Sequence, residues 1–288
     1  MRKKLTKIAK IHKGKIGLRG DDSMKKGINE YGIPKGLSRA EEFAWVSAAG
    51  FDGIELNLEN PLSPTEVAEI LQLCKKHHLE IIGLVSPHLW QFRLTSNDSG
   101  KRKRAQEIVK QLIIDAKALQ ASCILLVPGM VDEETSYIEA YENSLQAIRE
   151  LKPFIQHYGV SVGIENVWNK FLLSPLEMRH FIEEIDSPLV GAYFDVGNAV
   201  VNSYPEYWIE ILNDMLFRIH LKDFKRSVGN LEGFVDLLEG DVNWPRVMSA
   251  LRSASYDGYL TVEVPFSKLA PQHFLNNTIS HLETIFSM

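Results

Sequence analysis

One alternation repeats along the whole chain and constrains its fold more than any other feature. Short apolar, β-branched runs suited to buried strands are separated by longer stretches with apolar residues three and four apart. The runs occupy residues 15–18, 53–59, 80–86, 123–129, 161–167, 190–197, 217–224 and 259–265. Helical spacing is clearest over 64–78, 101–120, 135–158, 175–186 and 244–255. Ser63-Pro64 and Ser174-Pro175 each set a capping hydroxyl before a proline that tolerates a first helical turn. Asn243 before Trp244-Pro245 is another helix start, and His77-His78 suits a helix end, where positive charge is favoured. Gly50, Gly159 and Gly258 stand where helices are expected to stop.

Eight strand–helix units in 288 residues match a (β/α)₈ barrel, an α/β fold that takes about 250 residues. An open, doubly wound sheet is the competing architecture, but no GxGxxG or GxxxxGK[ST] follows any of the runs. No low-complexity linker divides the chain, so residues 1–288 are expected to form one domain, with 1–14 as a basic N-terminal extension. A 45% apolar share supplies a sizeable core, and 32 basic against 37 acidic residues leave a net charge of −5. That balance argues against a nucleic-acid coat, which needs a cationic surface. No run reaches the roughly 20 apolar residues of a membrane span. The basic residues 1–15 lack an apolar signal block, so the expected location is the cytoplasm. Cys74 and Cys123 are isolated in apolar settings and read as reduced core residues.

Side chains alternate faces along a strand, and in such a barrel one face meets the helices while the other points inward. Val162 and Ile164 oppose Glu165, and Ala192 and Phe194 oppose Tyr193 and Asp195. Phe217, Ile219 and Leu221 oppose Arg218, His220 and Lys222, while Leu260, Val262 and Val264 oppose Thr261 and Glu263. On the second run, Ile54, Leu56 and Leu58 oppose Glu55 and Asn57. An interior built for stability alone would hold Val, Ile and Leu. Glu165, Asp195, His220 and Glu263 would instead bury three carboxylates together, at high cost unless a cation neutralises them. The donor set suits one divalent metal, Mn²⁺ or Mg²⁺ first, with Co²⁺ or Zn²⁺ also compatible. The competing reading is a set of buried ion pairs with Arg218 or Lys222.

The segments IENVWN (164–169), FDVGN (194–198), IHLKD (219–223) and VEV (262–264) resemble the sugar phosphate isomerase/epimerase family, which has the xylose isomerase-like barrel. That family includes ketose 3-epimerases, pentulose-5-phosphate 3-epimerases and hydroxypyruvate isomerases, and the resemblance runs from about residue 16 to the C-terminus. It implies that Glu165, Asp195, His220 and Glu263 bind one metal, usually Mn²⁺, and that Glu165 and Glu263 are the catalytic acid/base pair. The implied reaction moves a proton on a ketose, free or phosphorylated, through a metal-stabilised enediolate. Two bases on opposite faces give epimerisation, and one base shuttling between carbons gives aldose–ketose isomerisation; both stand. The resemblance also implies a homo-oligomer, dimer or tetramer.

Arg226, six residues beyond His220, matches an arginine that contacts substrate in ketose epimerases. Asn198 stands where those enzymes carry a histidine, a departure that bears on the sugar rather than the metal. Among further substrate-binding candidates, Glu55 is suited to a hydroxyl or to orienting Glu263, with a salt bridge at the barrel mouth as the other reading. His88 and Trp90 follow the third run, as a polar contact and an apolar wall. Lys222 suits a substrate oxygen or an ion pair with Glu263, and Asn166 and Asn169 suit hydroxyl groups or loop shaping. The run Lys101–Arg104 reads as a solvated face or a phosphate contact. Alternatives from other classes are a lyase of the inosose-dehydratase kind, a non-catalytic sugar-binding barrel and an AP-endonuclease-like DNA repair enzyme. The last needs further metal ligands, and Gly233-Phe234-Val235 supplies none where they would fall.

Overall fold

Helix boundaries in this chain are set by local hydrogen bonding. Ser38, Ser63 and Ser136 each cap a helix by accepting the backbone N–H three residues on, and Glu41, Glu66 and Glu139 reach back to the capping N–H. These boxes open α1 (Arg39–Ala49), α2 (Pro64–His77) and α4 (Tyr137–Tyr158). Asp98 caps α3 (Ser99–Ala118), and Ser174 caps α5 (Pro175–Ile185). Gly50 and Gly159 end α1 and α4 in the left-handed region, at φ 100° and 66°. His78 does the same for α2 at φ 54°. Gly258 does not stop a helix. The preceding α8 (Trp244–Ser253), capped at its start by Asn243, has already ended at Ala254, and a Cβ on Gly258 would lie 2.5 Å from the Tyr256 hydroxyl. Short helices α6 (Val196–Val200) and α7 (Pro205–Leu212) follow the sixth strand, and α9 (Pro271–Phe286) closes the chain.

The computed structural model describes residues 24–265 and 271–288. Its strands are β1 (Lys25–Asn29), β2 (Gly53–Asn57), β3 (Glu80–Val85), β4 (Cys123–Leu126), β5 (Ser161–Glu165), β6 (Val190–Asp195), β7 (Leu216–Leu221), β8 (Asp223–Phe224), β9 (Phe234–Val235) and β10 (Tyr259–Val262). Eight of them close into a parallel barrel in the order β1-β10-β7-β6-β5-β4-β3-β2, while β8 and β9 form an antiparallel hairpin. The barrel expected from the sequence is therefore present. The strand expected at 15–18 and the basic extension at 1–14 lie outside the described residues. The first barrel strand is instead β1, whose sequence KKGIN holds one aliphatic side chain. Pairing on both sides, Ile28 with Val262 and with Ile54, makes it a strand where propensity does not.

The outward faces pack as expected. Ile54, Leu56, Val162, Ile164, Phe194, Ile219, Leu260 and Val262 are buried between barrel and helices. A separate interior cluster holds Cys123, Leu125, Val127 and Tyr193, while Cys74 is half-buried. Two register shifts correct the simple alternation. One skips Ile82 opposite β2, and the other skips Phe217 opposite β6. Phe217, expected on the helix side, packs against the interior cluster, and Ile82 lies under Gly27 and Gly53. Bulges re-aim side chains in this way. Gly163 leaves the matching space for Tyr193, since a Cβ there would meet its ring at 2.8 Å. No helix among the described residues is long and apolar enough to cross a membrane.

Candidate active site

Parity and position together bring four side chains of metal-ligating type to the carboxyl-terminal end of the barrel. Glu165 ends β5, Asp195 ends β6, His220 lies in β7, and Glu263 follows β10 with its N–H on the Leu221 carbonyl at 3.0 Å. One ligand atom from each falls within 4.8 Å of all the others. Glu165, Asp195 and His220 are buried, and the Glu263 side chain is 23% exposed toward the mouth. Asn166 ties β5 to β6 by a paired amide clamp, its Nδ2 donating to the Asp195 carbonyl at 2.9 Å and its Oδ1 accepting the Asp195 N–H at 2.7 Å. Asp195 Oδ1 accepts the Asn198 N–H at 2.7 Å, which starts α6.

Nδ1 of His220 faces the acids: Glu165 at 3.2 Å, Glu263 at 3.5 Å and Asp195 at 3.9 Å. The Lys222 ammonium sits 2.5 Å from Glu263 Oε2 and 3.0 Å from Asp195 Oδ2. Burial pushes the Glu165 carboxyl up to about 7 and raises that of Asp195. Burial alone would raise Glu263 too, but the charges of Lys222 and His220 hold it well below the ordinary carboxylate range. Burial opposes the charge on His220, yet Glu55 and Glu263 keep its imidazole well above the usual value. Likewise, Asp195, Glu263 and Glu165 hold Lys222 above its ordinary range despite burial.

This donor set fits a divalent cation. Asp195 Oδ2 is buried with no hydrogen bond, and the Lys222 ammonium at 3.0 Å and His220 Nδ1 at 3.9 Å, in ion-pair range but not hydrogen-bonded to it, answer its charge. Three carboxylates and one imidazole nitrogen supply oxygen-rich, borderline-hard ligation. Lys222 also forms the ion pair that the sequence left open, so both readings meet at one place.

A cavity of about 1250 Å³ opens over the cluster and is lined by Glu165, Glu263, Lys222, Asn198, Trp90 and Asn57, among others. Trp168 and Phe234 add an aromatic wall, their ring centroids 5.1 Å apart. Neither stood out as a site residue in the sequence, although Trp168 lies within the IENVWN segment. Asn198 reaches the cavity with its Nδ2 already donated to the Asn166 carbonyl at 2.8 Å.

Four candidates lie elsewhere. Glu55 is fully buried, and its carboxylate is occupied by Asn29, Tyr193 and His220, so it meets neither a hydroxyl in the cavity nor Glu263. His88 bonds the Glu59 carbonyl through Nε2 at 2.8 Å and lines a smaller pocket of about 260 Å³ that adjoins the cavity through residues 58–61 and Ser86. Arg226 spends its guanidinium on the carbonyls of Val200 and Ser203, with Tyr204 beneath it, and does not line the cavity. Asn169 is buried and shapes its loop, donating to the Gly129 carbonyl and accepting the Phe171 N–H. The site residue hardest to foresee is Asn29, because it belongs to a strand, residues 25–29, that sequence patterning did not single out.

Known proteins similar to this chain include an uncharacterized protein of Methanocaldococcus jannaschii, 25% identical over 251 residues covering 83% of each chain. The Escherichia coli protein named "Putative L-ribulose-5-phosphate 3-epimerase SgbU" is 27% identical over 254 residues, covering 83% of this chain and 87% of that one. Among solved structures, a D-tagatose 3-epimerase-like protein superposes with a TM-score of 0.78 at 22% identity, covering 92% of this chain and 99% of that one. An L-ribulose 3-epimerase does so at 0.76 and 16% identity, covering 92% and 95%. At such identities the structural likeness speaks for the fold. Residues 43–284 match the xylose isomerase-like TIM barrel family over most of the chain, and the protein belongs to that family.

Proposed function

We propose that this protein is an isomerase that moves a proton on a carbon beside the carbonyl of a sugar, a ketose 3-epimerisation or related isomerisation. The observation that carries this reading is the pairing of Glu165 and Glu263. They share one inward-facing cluster, line the same cavity and come from strands with two others between them in the barrel, so a substrate bound between them meets a carboxylate on each side. The relatives and neighbours whose names are those of ketose or ketose-phosphate 3-epimerases support the same class.

Glu165, Asp195, His220 and Glu263 would hold the cation, which we assign as Mn²⁺, with Mg²⁺, Co²⁺ and Zn²⁺ as comparators. When bound, such a cation supplies Lewis-acid stabilisation of negative charge on substrate oxygens, contributing several kcal/mol. Glu263 is ionised beside Lys222 and His220 and lines the cavity, which makes it the group available to accept the proton. Glu165, in the same cluster and lining the same cavity, is suited to return one to the substrate. Their strands are separated in the barrel by β7 and β6, so the two groups approach a bound sugar from different directions. Trp90, Trp168 and Phe234 offer apolar surface to its C–H faces. Asn57, which donates to Asn29 at 3.1 Å, offers its carbonyl to a hydroxyl.

Incubation of the Mn²⁺-loaded protein with a panel of ketoses and ketose phosphates in D₂O tests this, read by NMR. Deuterium at the carbon beside the carbonyl, with an epimer or aldose as product, is expected. Loss of water to give an enone or dione, or sugar binding without exchange, would replace the isomerase reading. Glu263→Gln and Glu165→Gln should each lower turnover by about 10²-fold or more. Near-normal turnover in either variant removes that residue from the chemistry.

A further inference from the structure

Glu55 stands on the inner face of β2, fully buried, and does not line the cavity. Its Oε1 accepts from Asn29 Nδ2 and lies 3.0 Å from His220 Nε2, while Oε2 accepts the Tyr193 hydroxyl. Asn29 is itself fixed, because its Oδ1 accepts the Tyr31 N–H at 2.7 Å and Asn57 Nδ2 at 3.1 Å. The Tyr193 ring also meets the His220 ring edge-on, with centroids 4.7 Å apart. Gly83 leaves the space this arrangement needs: a Cβ there would lie 3.1 Å from Glu55 Oε2 and 3.0 Å from the Tyr193 oxygen. The imidazole is thus held at one edge and one face, and its other nitrogen is aimed at the three acids.

We propose that Glu55 is a positioning residue for the metal centre: by accepting the Nε2–H of His220 it fixes the ring and presents the Nδ1 lone pair to the cation. This rests on the metal reading above. A carboxylate behind a ligating histidine sets its tautomer, fixes its orientation and increases its basicity as a ligand. It also gives a reason for a fully buried acid that does not line the cavity. Three strands contribute, since β1 supplies Asn29, β2 supplies Glu55 and β6 supplies Tyr193.

The test compares Mn²⁺ binding by metal-free wild-type protein and Glu55→Gln, measured by competition with a fluorescent chelator. Glutamine keeps the volume and a carbonyl acceptor but lacks the charge, and the affinity is expected to fall about 10–100-fold. In Zn²⁺-loaded protein labelled with ¹⁵N-histidine, the signal absent from His220→Gln should show a strongly deshielded Nε2–H that shifts upfield in Glu55→Gln. A merely structural role would leave that signal in place. Tyr193→Phe removes one support of the same carboxylate and should weaken binding several-fold, so it decides the matter if Glu55→Gln does not fold. Unchanged affinity and an unchanged His220 signal in folded Glu55→Gln, or unchanged affinity in Tyr193→Phe should the first variant fail, overturn the role of Glu55 alone. No saturable Mn²⁺ binding by the wild-type protein overturns the metal reading itself.

Discussion

Lys222 would be both ally and competitor of a cation bound at the acid cluster. Its ammonium, 2.5 Å from Glu263 and 3.0 Å from Asp195, relieves repulsion between acids that burial would otherwise make costly. The same charge repels an incoming divalent ion at close range, where Coulomb energies between unit charges reach several kcal/mol even at an effective dielectric of about 20. Lys222→Met should therefore tighten Mn²⁺ binding by at least about tenfold, or about 1.4 kcal/mol. Isothermal titration of the metal-free variant checks this, and weaker binding would show that Lys222 helps to hold the ion. Strand parity alone made the clustered Glu165, Asp195, His220 and Glu263, together with Lys222, legible in the sequence. It could not show that the Arg226 guanidinium turns back onto the Val200 and Ser203 carbonyls, because that depends on where the helices after β6 end.

At the scale of elements, the excursion between β7 and α8 hangs on one buried carboxylate. Asp223 accepts the N–H of Phe224 at 2.8 Å, of Leu238 and Val242 at 3.1 Å each, and the Trp244 indole at 3.0 Å. This excursion carries the β8–β9 hairpin, and with it Phe234, to the cavity wall. Asp223→Ala would leave several buried donors unanswered and should cost about 3 kcal/mol or more. A lowered melting temperature, with faster proteolysis within residues 225–243, is the expected readout. Stability within about 0.5 kcal/mol of wild type would mean the loop is held by its apolar contacts. Gly163→Ala tests the interior instead. The new methyl would meet the Tyr193 ring at 2.8–3.3 Å, so overpacking should cost about 1–3 kcal/mol, measured by denaturant unfolding. Capping pairs such as Ser63 with Glu66 were readable from their spacing. The bulges that turn Ile82 and Phe217 inward were not, because each lies in an apolar pair, Ile81-Ile82 and Leu216-Phe217, where the pattern does not say which residue faces in.

For the molecule as a whole, the buried cluster ties stability to pH and metal. Glu165 and Asp195 keep their protons in the fold to higher pH than in the unfolded chain. Stability of the metal-free protein should thus fall as pH rises from about 4.5 toward 7. His220 adds in the same direction above about 6.5, because its charged form is favoured in the fold and is lost as pH climbs. Glu263, held low, acts oppositely, losing its contribution only as pH falls below about 4.5. Metal binding needs the carboxylates ionised and Nδ1 free, so the rise in melting temperature with Mn²⁺ should be larger at pH 8 than at pH 5.5. Equal shifts at both values would mean that the ion binds elsewhere.

The sequence by itself determined the alternation of strands and helices, the faces of most strands, and the set of acids and imidazole turned inward, since each follows from periods of about 2.0 and 3.6 residues. Tertiary structure decided the rest. Strand pairing chose KKGIN as the first barrel strand, and the closed barrel set Glu55 behind His220, residues 165 positions apart in the chain. Which inward side chain reaches the cavity and which supports another depends on shear and bulges around the ring, quantities that no local pattern encodes.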